Sequence, residues 1–314
     1  MSNVLTCQEI DNCSFSSWYP RFKTVTFKSK IIHLPDDFID YLNADSIFLP
    51  EDGQPRAAFI EEVDSDQEEY PEEQNDNIKE AIEEYEGAVF PKLNWSSPRD
   101  AAWIATTQTL KCTSPFDVFL LLKSSDFINH DLNHAYEICA DQKQDKPTFD
   151  LVLRKWFDLQ PSMEFRCFVK NQEIIGICQR DVNYYEFLPK MKSTIELLIY
   201  RFFEDHVCEH FDSLNYVFDV YVEYNREKVY LVDFNPFCPT TDIDLDQKQA
   251  EFRFIESESE ANLLSRNAPK FATNMVPKDV IDLSNGQSIA EFAEQFEKAM
   301  KLAEQGYSSS EDES

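Results

Sequence analysis

The sequence is poor in glycine and in positive charge. Only five glycines occur in 314 residues, and none stands in G-x-G-x-x-G or G-x-x-x-x-G-K-[ST]. That excludes a Rossmann dinucleotide site and a P-loop, both of which need glycine where backbone approaches phosphate. Lysine and arginine number 29 against 59 aspartates and glutamates, for a net charge of −30. A field of this sign repels nucleic-acid backbones and anionic headgroups, so neither nucleic acid nor membrane is a general partner, although a compact basic pocket remains open. The eight cysteines are scattered and form no C-x-x-C pair. They read as buried free thiols of a reducing compartment rather than as a zinc site. No basic flank with an apolar run after it opens the chain, and no apolar stretch approaches the roughly 20 residues of a membrane span, so a cytoplasmic protein is expected.

What is present is enough to fold. Hydrophobic residues make up 42% and aromatic residues 14% of the chain, well above a disordered composition. The negative charge is also unevenly spread. Residues 51–86 hold fifteen acidic and two basic side chains, and residues 61–77 read as a disordered acidic insert, either a solvating linker or a partner-binding segment. Residues 306–314 form a second acidic tail with serines beside acids, which are candidate phosphorylation sites. The organisation expected is a first lobe of residues 1–60 and 78–150 interrupted by the insert, a second lobe of residues 151–305, and the tail.

Hydrophobic periodicity gives an α+β chain rich in antiparallel hairpins. Strands are expected over residues 24–33, 46–49, 88–90, 118–122 and 149–153. Residues 164–170 and 173–180 flank Asn171-Gln172 as a hairpin, and residues 216–224 and 228–233 form another. Helices are expected over residues 35–42, 193–211 and 288–304. Ser97-Pro98 with Asp100 reads as an N-cap, a first-turn proline and a capping-box acid.

The last hairpin carries the chemistry. A three-residue loop at 225–227 would set Asp219 opposite Asp233, two carboxylates side by side on one face, with Asn235 on the same side. Two Asp and one Asn oxygen at a strand end suit Mg²⁺, which takes oxygen ligands and bridges nucleotide phosphates. The bland alternative is a turn at Asp233-Phe234-Asn235-Pro236. Lys92, Lys123, Arg154, Arg166 and Arg180 end or line apolar strands, and are either phosphate ligands or solvated strand-end charges. Arg166, between Phe165 and Phe168, needs a partner, and Glu164 is the nearest candidate. His130 with His134, and His206 with His210, have i, i+4 spacing but no third ligand, and read as solvated helix faces. No G-x-S-x-G nucleophile and no kinase Gly-rich loop is present. Cation-lined antiparallel sheets with acids on the final hairpin point to ATP bound between two β layers.

At these residues the chain resembles a known family. Pro91-Lys92-Leu93-Asn94-Trp95-Ser96-Ser97-Pro98-Arg99-Asp100-Ala101, Leu153-Arg154-Lys155-Trp156, Glu164-Phe165-Arg166-Cys167-Phe168-Val169, Gln179-Arg180-Asp181, Val217-Phe218-Asp219-Val220-Tyr221 and Val232-Asp233-Phe234-Asn235-Pro236-Phe237 are similar, in order, to the cell division cycle protein 123 family. The resemblance implies an ATP-grasp fold with ATP and Mg²⁺ between two β-rich lobes. It also implies an assembly chaperone for eukaryotic translation initiation factor 2 that engages the C-terminal domain of the gamma subunit. By position it assigns Asp219, Asp233 and Asn235 to Mg²⁺, and Lys92, Arg154, Arg166 and Arg180 to the triphosphate. Lys155, Trp156 and Phe157 would contact adenine, largely through backbone groups. Cys238-Pro239 departs from the family pattern, which has a small residue such as Gly there. The expected protein is a monomer when free, with no catalytic residue. The alternative is an ATP-grasp ligase that activates a carboxylate as an acyl phosphate.

Overall fold

A computed structural model describes residues 5–44, 72–223, 225, 227–237 and 251–267, all within a compact unit spanning Met1–Ala272. The expected strand at 46–49, the helix at 288–304, residues 61–71 of the insert, the tail and the Cys238-Pro239 departure lie outside the described residues. Two antiparallel partners, β1 (Ser29–Leu34) and β2 (Val89–Lys92), flank β3 (Phe149–Lys155) in a three-stranded sheet. A five-stranded sheet runs in the order β7 (Lys228–Pro236), β6 (Tyr216–Glu223), β4 (Glu164–Lys170), β5 (Glu173–Gln179), β8 (Glu251–Arg253). The architecture is α+β. Its larger sheet is mixed rather than wholly antiparallel, because β8 pairs parallel to β5.

Period-two alternation makes β3 the wall between two cores. Leu151 and Leu153 enter one core with the helices α3 (Asp36–Asn43), α4 (Glu72–Glu84), α5 (Pro115–Lys123) and α6 (Asp126–Asn133). Val152 faces the other, shared with β4–β7, Cys13 at the end of α1 (Cys7–Asn12), α2 (Phe15–Phe22) and α7 (Leu188–Phe202). Division of the lobes at residue 150 would therefore cut through β3, which hydrogen-bonds to the earlier strands. The stretch before β1 ties the sheets together, with Leu231 N–H donating to Val25 O at 2.8 Å and Thr26 Oγ1 to Leu231 O at 2.7 Å.

Several local expectations are corrected. Residues 118–122 are helical, inside α5. Ser114 and Asp117 form a reciprocal capping box with Pro115 at the first turn, and these start signals outweigh an apolar run that periodicity alone cannot assign. Asp100 does not cap its own segment, a 3₁₀ turn at Arg99–Ile104 without a side-chain cap. It accepts instead from Ser125 Oγ at 2.5 Å and Asp126 N at 2.7 Å, at the start of α6. The insert ends sooner than expected, since Glu72–Asn77 belong to α4 with Gln74 and Asn75 buried. The helix expected from residue 193 begins at Leu188 and closes in a π turn, Phe203–Val207. The β4–β5 hairpin turns at Asn171 and Gln172, both with positive φ (51° and 63°), as a two-residue type I′ connection requires. No helix among the described residues is long and apolar enough to cross a membrane.

Candidate functional site

The register of the larger sheet builds a row of polar side chains. Arg166 on β4 is the Cα partner of Asp219 on β6, and Asp219 is the partner of Asp233 on β7. Directly opposed residues share a face. The intervening Phe165, Cys167, Phe218, Val220 and Phe234 fill the core behind the sheet, leaving Arg166, Asp219 and Asp233 toward the smaller sheet. The pairing of the two acids comes about differently from the sequence expectation. Near the turn Glu223 pairs with Lys228 and Val220 with Leu231, one residue out of the expected register, and a bulge between Asp219 and Val220 restores Asp219 to Asp233. Asn235 lies two residues on, opposite Val217 and half-buried, and the unbroken pairing from 233 to 235 keeps it on the face of Asp233.

The smaller sheet supplies the facing cations. Lys92 is the Cα partner of Val152, and Arg154 lies two residues further along β3, so both point where Val152 points. Lys92 Nζ bonds Asp233 Oδ2 at 2.7 Å, with side-chain exposures of 2% and 19%. Burial pushes the Lys92 ammonium down, and Asp233 only partly offsets it. Arg166 holds Asp219 through two bonds, Nε to Oδ1 at 2.8 Å and Nη2 to Oδ2 at 2.9 Å. Its partner is therefore Asp219, and Glu164 turns to Arg180, whose Nη1 lies 3.6 Å from Glu164 Oε2 and 3.3 Å from Asp219 Oδ2. Burial alone would raise the Asp219 carboxyl; Arg180 and Arg166 outweigh it and hold the group below its ordinary range. Burial likewise works against the Arg166 charge, but Asp219 outweighs it and the guanidinium sits above its ordinary value.

Two cations have a different character. Arg154 is buried and bonds neutral oxygens, Val232 O at 2.7 Å and Thr26 Oγ1 at 3.2 Å, with the Phe15 and Phe27 rings each 5.3 Å away. Burial lowers its pKa to about 10, so it stays charged near neutral pH. Arg99 was not among the sequence candidates. Its side chain is crowded by protein yet open to solvent, as a group lining a cleft is. Desolvation first and Arg180 second push it to about 10, while Glu164, Asp219 and Asp233 favour its charge. It lies within the block 91–101 that resembles the family, but no local pattern set it apart from its neighbours.

The segment after Arg154 has part of its polar groups engaged within the protein. The backbone N–H groups of Lys155 and Trp156 donate to Lys28 O and Ala88 O at 2.9 and 3.2 Å, and the Lys155 ammonium meets Glu86 at 2.7 Å. Aromatic rings stand beside the segment. Phe157 is exposed, 5.3 Å from Phe27, and Phe27 stacks on Tyr230 at 5.2 Å. Lys123 is remote from this cluster, its ammonium donating to the carbonyls of Tyr41 and Ala44 at the end of α5. His130, His134, His206 and His210 are exposed, and His134 pairs with Glu137.

The donor chemistry fits a magnesium–triphosphate. Asp219, Asp233 and Asn235 offer oxygen donors on one face, and Lys92, Arg99, Arg154, Arg166 and Arg180 are charge partners for phosphate oxygens. The five cations face Glu164, Asp219 and Asp233, leaving a local excess of two positive charges. Asp131 also feels Lys92, which reduces the excess to one if it is counted, but it is spent on Ser96 N and Oγ at 2.7 Å each.

Comparison with known proteins places the chain. The family model D123 matches residues 18–284. A "Translation initiation factor eIF2 assembly protein" of Schizosaccharomyces pombe is 42% identical over 95% of this chain and 98% of its own length. "Cell division cycle protein 123" of Yarrowia lipolytica is 40% identical over 90% of this chain and 81% of its own. The solved structure of Cdc123 from Schizosaccharomyces pombe superposes with a TM-score of 0.69 at 40% identity, covering 82% of this chain and all of that one. With the family model matching most of its length and relatives about 40% identical along nearly all of it, the chain belongs to the D123 family, that of cell division cycle protein 123.

Proposed function

We propose that the protein is an assembly factor for eukaryotic translation initiation factor 2. It binds ATP with Mg²⁺ between its two sheets and engages the factor's gamma subunit, without turnover as an obligatory step. The names carried by its relatives support the assembly role. The observation that carries nucleotide binding is a positive excess in a chain of net charge −30, concentrated on one face where two carboxylates stand side by side. Without ligand each acid is held by a cation, Asp233 by Lys92 and Asp219 by Arg166 and Arg180. Mg²⁺ would take the carboxylates, and the released cations would meet the phosphates, so charge is exchanged rather than stranded. Arg154, buried among neutral oxygens and rings, gains an anion at the same time.

The test is thermal unfolding with and without Mg-ATP. At a ligand concentration of 100 Kd the stabilisation expected is about 2.7 kcal/mol. It should vanish in Asp233→Ala, assessed against that variant's own ligand-free melting temperature. A wild-type protein that Mg-ATP does not stabilise refutes the nucleotide site. Pull-down of the purified gamma subunit tests the partner separately, and phosphate release with a covalent product would favour a ligase.

A further inference from the structure

Outside the charged cleft, a second cluster of ligating atoms joins the start of α1 to the loop after α6. Cys7 Sγ, Cys139 Sγ and a carboxylate oxygen of Asp141 all lie within 4.8 Å of one another. Cys7 is 132 positions from Cys139 and 134 from Asp141, so no spacing motif announces the three together. The cluster is held in place without any ion. Asp141 Oδ1 accepts from Cys7 N at 2.8 Å, Ala140 N donates to Leu5 O at 2.9 Å, and Lys143 pairs with Asp11 beside Tyr136. A carboxylate has about four lone-pair sites, so the bond to Cys7 N orients Asp141 without consuming it. Cys139 and Asp141 also line a cavity of about 400 Å³ together with Tyr136, Lys143 and Phe149, which leaves room for a water ligand.

We propose that Cys7, Cys139 and Asp141 form a binding site for a soft divalent cation of the zinc type. Two sulfurs and one oxygen match Zn²⁺ and disfavour Mg²⁺ or Ca²⁺, which take oxygen. A tetrahedral ion with Zn–S of about 2.3 Å sets sulfurs about 3.8 Å apart, so the three atoms need only small shifts to close on it. Two thiolates and a carboxylate leave one negative charge after Zn²⁺ binds, and Lys143 stands near enough to act on both Cys7 and Asp141. Thiols bind the ion as thiolates, so uptake releases protons and strengthens as pH rises. The ion would clamp the start of α1 to the loop, and α1 leads directly into α2, whose Phe15 ring lies 5.2 Å from Lys92 Nζ.

The experiment uses the full chain, reduced and stripped with a chelator, then titrated with Co²⁺ and back-titrated with Zn²⁺. One equivalent of Co²⁺ should give a thiolate charge-transfer band in the near ultraviolet, and Zn²⁺ should abolish it. Cys139→Ser should lose the band, and Asp141→Asn, which keeps an acceptor for Cys7 N, should weaken binding. Cys208→Ser, whose sulfur lies near Gln172 O instead, should behave as wild type. Because Cys7→Ser removes a buried group, Cys139→Ser with an unchanged melting temperature is the decisive variant. Absence of the band in the wild type, or a band that survives Cys139→Ser, overturns the site. So does a Cys7–Cys139 disulfide formed under peroxide by protein that takes up no metal when reduced.

Discussion

Replacing Asp233 by asparagine isolates the electrostatics of the cleft, because it keeps the shape of the side chain and removes its charge. The Lys92 ammonium, on a side chain only 2% exposed, would then face a neutral amide, with Arg154 repelling it. Removing one partner of a buried pair costs about 3–5 kcal/mol. Two features reduce that here. Asp233 keeps 19% of its side-chain surface in solvent, and a lysine can relieve the strain by losing its proton. We expect a loss of about 2–3 kcal/mol near neutral pH, or about 4–12 °C in melting temperature for a unit of this size. The sign of the pH dependence follows from linkage. The folded state already lowers the Lys92 pKa, and the variant lowers it further, whereas the unfolded chain holds that proton up to about 10.4. Between the two values the unfolded state binds more protons, so the variant gains stability as pH rises and the gap to wild type narrows. The double variant Lys92→Met with Asp233→Asn should return to within about 1 kcal/mol of wild type, since no buried charge is left unpaired. Urea titrations of the four proteins at two pH values decide it. An unperturbed Asp233→Asn, or a double variant as unstable as the single one, would falsify this account of the pair.

Arg166→Lys should cost about 1–2 kcal/mol in a urea titration, because an ammonium cannot reproduce the two bonds to Asp219. The folded pKa of Asp219 is lowered, so its contribution is fully present above the unfolded value of about 3.9 and is lost as pH falls through the folded one. In Asp219→Asn the acid limb of the stability curve should accordingly flatten. Asp100→Ala removes the acceptor for Ser125 Oγ and Asp126 N, and should cost about 1 kcal/mol. Faster amide hydrogen exchange at the start of α6, with the 3₁₀ turn at Arg99 little changed, is the expected pattern.

Much of this arrangement was legible from local rules. Apolar runs and the hairpin pattern identified β3–β7, the residue pair Asn171-Gln172 marked its hairpin, and the facing of Asp219 and Asp233 was deducible from counting. The counting succeeded because two departures cancelled: the turn shifts the register by one and the bulge shifts it back. Sequence rules locate strands but do not announce bulges. Residues 118–122 were misread because five consecutive apolar residues suit a buried strand and a buried helix equally. The deciding information, the capping box at Ser114 and Asp117, lay just outside the run. Asp100 was misread for the opposite reason, a cap motif present in sequence whose carboxylate finds better donors 25 residues away.

By itself, then, the sequence determined the α+β class, the hairpins, the row of acids and the presence of cations at strand ends, since each depends on alternation or turn chemistry within a few residues. Which cation meets which acid was decided only in the tertiary structure. Arg166 chooses Asp219 over the adjacent Glu164, Lys92 reaches Asp233 across 141 positions, and Arg99 joins the cleft without a local signal. Two thiols 132 positions apart become neighbours in the same way. Coulomb energy and ligation depend on distance in space, and folding alone sets that distance for residues so far apart along the chain.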